Sequence, residues 1–136
     1  MNYAEISKET ISLLYKGYNS LKNSPLEPSI RVLIELRVSQ INGCEYCCKI
    51  HSDEAKKIGV PEEKRDHLVV WNVTDVFTER EKLALRWAEE LTYIKVTQET
   101  KKLLKTEFSE REIVDITTCA SLMNGLNRLA MSLKNF

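Results

Sequence analysis

The residues best suited to chemistry lie in one run, Arg37-Val38-Ser39-Gln40-Ile41-Asn42-Gly43-Cys44-Glu45-Tyr46-Cys47-Cys48-Lys49-Ile50-His51. Asn42 and Gly43 both tolerate positive φ, so the pattern predicts that one helix ends there and another begins at about Cys44. In that second helix Cys44 and Cys47 are three apart and Cys47 and His51 four apart, which puts two thiols and an imidazole along one face. A helix N-terminus favours the thiolate, and the thiolate is the reactive form. The spacing therefore points to a redox or nucleophilic centre.

A Cys-x-x-Cys pair cycles between dithiol and disulfide without a metal, because its sulfurs approach within one helical turn. Zinc is an alternative that needs four nitrogen or sulfur ligands. Cys44, Cys47 and His51 supply three, and Cys48 or His67 would have to complete the set without finger spacing. Buried, unreactive thiols are a third reading. Outside the run, Cys119 and Met123 belong to an apolar stripe and read as core. Cys48 points off the shared face as a spare thiol, and His67 reads as a surface or helix-end residue.

The elements that must position this run are helical. Ile6, Ile11, Leu14, Tyr18 and Leu21 recur at helical intervals over about 4–21, and Asn23-Ser24-Pro25 ends them. Pro28 opens a second helix carrying Ile30, Val32, Leu33, Ile34, Leu36, Val38 and Ile41, too broadly apolar for a solvent-facing helix and so expected to be central. Glu35 and Arg37 interrupt it, and such charges reach an edge or are held by partners. The cysteine helix stops at Gly59. A short helix follows Pro61, and 68–73 reads as helix end and loop. Thr78-Glu79-Arg80-Glu81 and Ser109-Glu110-Arg111-Glu112 are capping boxes opening a helix to about Thr92 and a long final helix. Thr97 caps a shorter one to about Lys105. The reading is all-α, a single domain over 1–136 with six or seven helices and no detectable repeat.

Twenty Lys plus Arg against twenty Asp plus Glu give a formal net charge of zero, which removes the electrostatic case for nucleic acid or an anionic membrane as partner. Apolar residues at 43% and charged residues at 29% suit a folded protein. There is no signal-peptide h-region and no run of 18 apolar residues, so a cytoplasmic location is expected. Three of the four cysteines fall within five positions, a pattern that in a reducing compartment is catalytic or metal-binding rather than a disulfide scaffold.

The phrase from Leu36 to Cys47, with His51 four beyond, resembles the AhpD-like alkylhydroperoxidase branch of the carboxymuconolactone decarboxylase superfamily. The resemblance continues through Phe77-Thr78-Glu79-Arg80-Glu81, Trp87-Ala88-Glu89 and Leu122-Met123-Asn124-Gly125-Leu126-Asn127-Arg128-Leu129. It implies an all-helical homo-oligomer, trimer or hexamer, that reduces hydroperoxides without a bound cofactor or metal and is re-reduced by a dithiol or a redox adaptor protein. Carried over, Cys47 is the sulfur attacked by peroxide, Cys44 the resolving thiol and His51 the proton-handling residue. The i+4 spacing of Cys47 and His51 agrees with that order, and Cys44 is expected to be the more accessible sulfur. The family's relay glutamate would fall at Val32; Glu35, one turn later, is the candidate replacement. A non-enzymatic redox sensor or interaction protein, and a decarboxylase of the carboxymuconolactone type, are the competing functions.

Overall fold

The computed structural model describes residues 1–136, and every regular element in it is helical. In chain order these are α1 (Tyr3–Ile6), α2 (Lys8–Ser20), a 3₁₀ turn (Leu21–Asn23), α3 (Pro28–Asn42), α4 (Glu45–Lys57), α5 (Glu62–His67), a 3₁₀ segment (Leu68–Val73), α6 (Glu79–Tyr93), α7 (Gln98–Glu107) and α8 (Glu110–Ser132). The single domain expected from the sequence thus has eight α-helices rather than six or seven. Part of the difference is a break at Ser7 that divides the expected first helix. No helix is long and apolar enough to cross a membrane.

Helix α3 is the axis, packed against α8, α4 and α6. Its Ile30, Ile34 and Val38 enter a core shared with Ala84, Trp87 and Ala88 of α6 and with Ile116, Ala120 and Met123 of α8. Its Val32, Leu33 and Leu36 enter a second core with Ala55, Leu68, Trp71, Phe77 and Leu85. A helix apolar on nearly all sides has to be enclosed in this way.

Local chemistry sets the helix ends. Both capping boxes form: Thr78 and Ser109 each accept from the third helical N–H, and Glu81 and Glu112 each reach back to the cap N–H. Thr97 likewise accepts from the Thr100 N–H. Gly43 takes the left-handed conformation at φ +70°, where a side chain would be strained. The Gly43 N–H then donates to the Gln40 carbonyl and the Cys44 N–H to the Ser39 carbonyl, a Schellman closure of α3. The Cys44 carbonyl in turn accepts from the Cys48 N–H, the first intrahelical bond of α4. Cys44 is therefore joined by its backbone to both helices.

A buried polar tie fixes the end of α3 against α8. Asn127 accepts from the Asn42 amide at 3.0 Å and donates to Ser39 Oγ at 3.1 Å, while Ser39 donates to the Glu35 carbonyl. Arg37, one of the two charges that interrupt α3, is held by partners: it bonds Glu89, which also accepts from Trp71, and reaches Gln40 as well. Asn127→Ala removes both tie bonds in a fully buried place and is expected to cost about 2 kcal/mol, read as a lower urea midpoint at unchanged slope.

Candidate functional site

Cys44 is the N-cap residue of α4 and Cys47 its third helical residue. Their Cα atoms are 5.3 Å apart and their sulfurs are bonded to each other. The α3 closure at Gly43 aims the chain so that Cys44 begins α4, and one helical turn does the rest. The expectation that Cys44 is the more accessible sulfur is not met: Cys44 is 1% exposed and Cys47 7%. Cys44 nevertheless lines an open cleft of about 1010 Å³ with Tyr3, Tyr46, Lys49, Met131 and Leu133, and Cys47 does not. Residues from both ends of the chain line that cleft with Cys44, something helix geometry alone does not reveal.

One turn beyond Cys47, the α4 face carries a cluster of charges. Glu35, fully buried on α3, puts Oε2 at 3.1 Å from His51 Nδ1, and Glu54 puts its Oε2 at 3.5 Å from the same nitrogen. Arg31 reaches the other oxygen of each carboxylate, at 3.1 Å for Glu35 Oε1 and 3.3 Å for Glu54 Oε1. Although close, Glu35 Oε2 and His51 Nδ1 are not aligned as a hydrogen bond, and neither has another partner. Burial opposes the Arg31 guanidinium, yet the Glu35 and Glu54 charges outweigh it and hold its pKa above the ordinary value. Burial, then Glu35 and Glu54, pushes the Tyr18 phenol upward. Burial, then Glu35, pushes the Cys119 thiol well up, with Sγ at 3.8 Å from Glu35 Oε1.

All four expected site residues are thus on the α3–α4 seam. Cys44 and Cys47 are joined, and Glu35 meets His51. Val32, where the family's relay glutamate would fall, packs in the second apolar core and faces a different environment. The alternative zinc set is not assembled, because the two sulfurs bind each other and the exposed His67 turns Nδ1 to the Glu63 carbonyl at 2.7 Å. Cys48 is half-buried against the second core and Cys119 is fully buried, as a spare and a core thiol. Sequence reasoning missed Arg31, Glu54 and Tyr18. Two of these carried a signal, since Arg31 lies four before Glu35 and Glu54 three after His51.

A family model described as "Carboxymuconolactone decarboxylase family" matches residues 10–90, which includes the whole seam. The chain belongs to that family. Among its relatives, the uncharacterized protein YdfG of Bacillus subtilis is 30% identical over 99% of this chain and 94% of its own length. The uncharacterized protein YnjA of Escherichia coli is 27% identical over 82% of this chain and 62% of its own length. A crystal structure from Agrobacterium tumefaciens, of a protein of unknown function provisionally assigned to antioxidant defence as AhpD, superposes with a TM-score of 0.93 at 32% identity. It covers 100% of this chain and 95% of that one. An alkylhydroperoxidase AhpD core structure from Ralstonia eutropha shares the fold at a TM-score of 0.82 and 17% identity, over 96% and 71% of the two chains. Within the carboxymuconolactone decarboxylase family the likeness at 32% identity places the chain in the AhpD-like branch.

In this AhpD-like chain the two free thiols, Cys48 and Cys119, differ for a physical reason. A raised thiol pKa leaves less thiolate at a given pH, and burial raises both Cys48 and Cys119, the latter far more. After reduction, native alkylation at pH 8 is expected to spare Cys119 entirely and to modify it only in denaturant. Peptide mapping of the labelled protein reads the result, and native labelling of Cys119 would contradict its enclosure.

Proposed function

We propose that this protein is a cysteine-based peroxidase, a thiol-disulfide oxidoreductase that reduces small hydroperoxides through a Cys44–Cys47 cycle. The observation that carries the reading is the combination on one helix of a bonded Cys-x-x-Cys pair and, four residues on, a buried His51 with Glu35 at 3.1 Å. The antioxidant-defence name of the relative from Agrobacterium tumefaciens supports it.

The Cys47 thiolate attacks the outer oxygen of ROOH, the O–O bond breaks, and the alkoxide takes a proton to leave as ROH. Cys47 is now a sulfenic acid. The Cys44 thiolate attacks that sulfur, forms the disulfide and expels hydroxide, which takes a proton and leaves as water. An external dithiol, free or on an adaptor protein, then returns two electrons and two protons and becomes a disulfide itself. His51 handles the Cys47 proton and delivers one to the leaving oxygen. Glu35 Oε2 stands at 3.1 Å on the Nδ1 side of the ring, leaving Nε2 to exchange the proton. The cleft beside Cys44 is the approach for the reductant. Exposed Ile50, Val69, Val73 and Tyr93 offer apolar surface for a homo-oligomer, trimer or hexamer, and the dithiol cycle suits a reducing cytoplasm.

Peroxide turnover with dithiothreitol and with lipoamide-type dithiols tests the activity. Stoichiometric oxidation without turnover would instead mark a redox switch. The order of the sulfurs is tested with substoichiometric peroxide and a dimedone-type trap. Label on Cys47 in Cys44→Ser and little on Cys44 in Cys47→Ser is expected, and the opposite pattern would reverse the roles.

For the proton path, His51→Ala is expected to lower turnover by about 100-fold, within the usual range for acid-base groups. Glu35→Gln should lower it less, by about tenfold, and lower turnover more than it lowers stability. Unchanged turnover in Glu35→Gln, with the urea midpoint measured alongside, would remove Glu35 from the mechanism.

A further inference from the structure

Peroxide chemistry accounts for His51 and Glu35, but not for Glu54 or for the way Arg31 divides the two carboxylates. Arg31 takes Oε1 of Glu35 and Oε1 of Glu54. The two Oε2 atoms are left turned to one nitrogen, His51 Nδ1, at 3.1 and 3.5 Å. One ligand atom from each of the three residues lies within 4.8 Å of the other two. First-row divalent cations hold imidazole nitrogen and carboxylate oxygen at about 2.0–2.2 Å, so neighbouring ligand atoms on one ion are separated by roughly 3.0–3.5 Å. Both separations from Nδ1 fall in that interval. His51 is only 6% exposed, and its Nδ1 and Glu35 Oε2 are buried polar atoms without a hydrogen bond.

We propose that Glu35 Oε2, His51 Nδ1 and Glu54 Oε2 form a three-ligand site for a first-row divalent cation, with Arg31 as its outer positioning group. Two carboxylates against one guanidinium leave a formal charge of −1 with neutral imidazole, which favours a cation. Outer partners that bind the second carboxylate oxygen orient the first, and Arg31 does this for both glutamates at once. Glu54, with its side chain 27% exposed, is the side from which an ion and its remaining water ligands enter. Mixed nitrogen and oxygen donors suit cobalt, zinc or manganese better than calcium or magnesium. This site differs from any thiolate site at Cys44 and Cys47, and it does not depend on peroxide turnover.

The test is titration of Co²⁺ into the protein oxidised at Cys44–Cys47, where neither sulfur can ligate. One ion per chain is expected, with visible ligand-field absorption and no thiolate charge-transfer band. Glu54→Gln should weaken binding by at least about tenfold, the lower range for disturbing even an outer partner. Asp53→Asn, which alters the exposed partner of Lys49 on the same helix, should leave it unchanged. In the wild-type protein Co²⁺ should broaden the ring resonances of His51 and spare those of His67, a reading that stands even where a variant fails to fold. No binding, a thiolate band, equal affinity in Glu54→Gln, or broadening of His67 in place of His51 would overturn the site.

Discussion

The structure depends on satisfying one carboxylate buried inside it. Glu35 lies in the middle of the most enclosed helix and is shielded completely from solvent. An isolated carboxylate there would cost several kcal/mol even after relaxation. Arg31 on the same face answers part of that cost, and Glu54 shares the guanidinium, so the charge network spans α3 and α4. The register in which the two helices close brings these groups together. The register that satisfies the charges also brings His51 against Glu35. Positioning the imidazole and solvating the buried acid are therefore one requirement.

The thiols are fixed by a separate device, which is backbone. Gly43 turns the chain, Ser39 receives the Cys44 N–H, and Cys44 starts α4. Ser39 is itself held by Asn127 and bonded to the Glu35 carbonyl, so the turn and the charge cluster share a support. A disulfide formed at the N-cap and third position of a helix need not unwind that helix. Its sulfurs span residues whose separation is already one turn. Redox change can thus occur at the helix start while the charge cluster one turn later stays packed.

Much of this was legible in the sequence where the cause is local. Thr78, Thr97, Ser109, Pro28 and Gly43 act through bonds within a few residues, and the helix ends they imply are present. The convergence of Cys44, Cys47 and His51 follows from helical spacing. The break at Ser7 carries no glycine or proline, and 68–73 forms 3₁₀ turns because Leu68 and Trp71 bury in the second core. Non-local packing decides what remained hidden. Glu35 could be placed near the site, but its pairing with Arg31 and meeting with His51 need α4 folded back on α3. Cys44 looked open from its place at a helix start. It is nearly enclosed, in a cleft that it lines together with the end of α8 and the first residues, and no local pattern records that.

The network around Nδ1 also restricts what it can do at one time. As a proton relay, His51 needs its Nδ1 against Glu35 so that Nε2 can exchange a proton. A cation on the same nitrogen would hold the ring in the same orientation while drawing Glu35 Oε2 and Glu54 Oε2 away from the proton. The ring geometry is shared by both states, whereas the charge is not. A proton brings the cluster from −1 to zero and a divalent ion brings it to +1, with Arg31 opposing the second more strongly. Arg31 therefore does two things at once. It makes a buried glutamate tolerable, and by holding Oε1 of Glu35 and of Glu54 it leaves both Oε2 atoms turned to Nδ1.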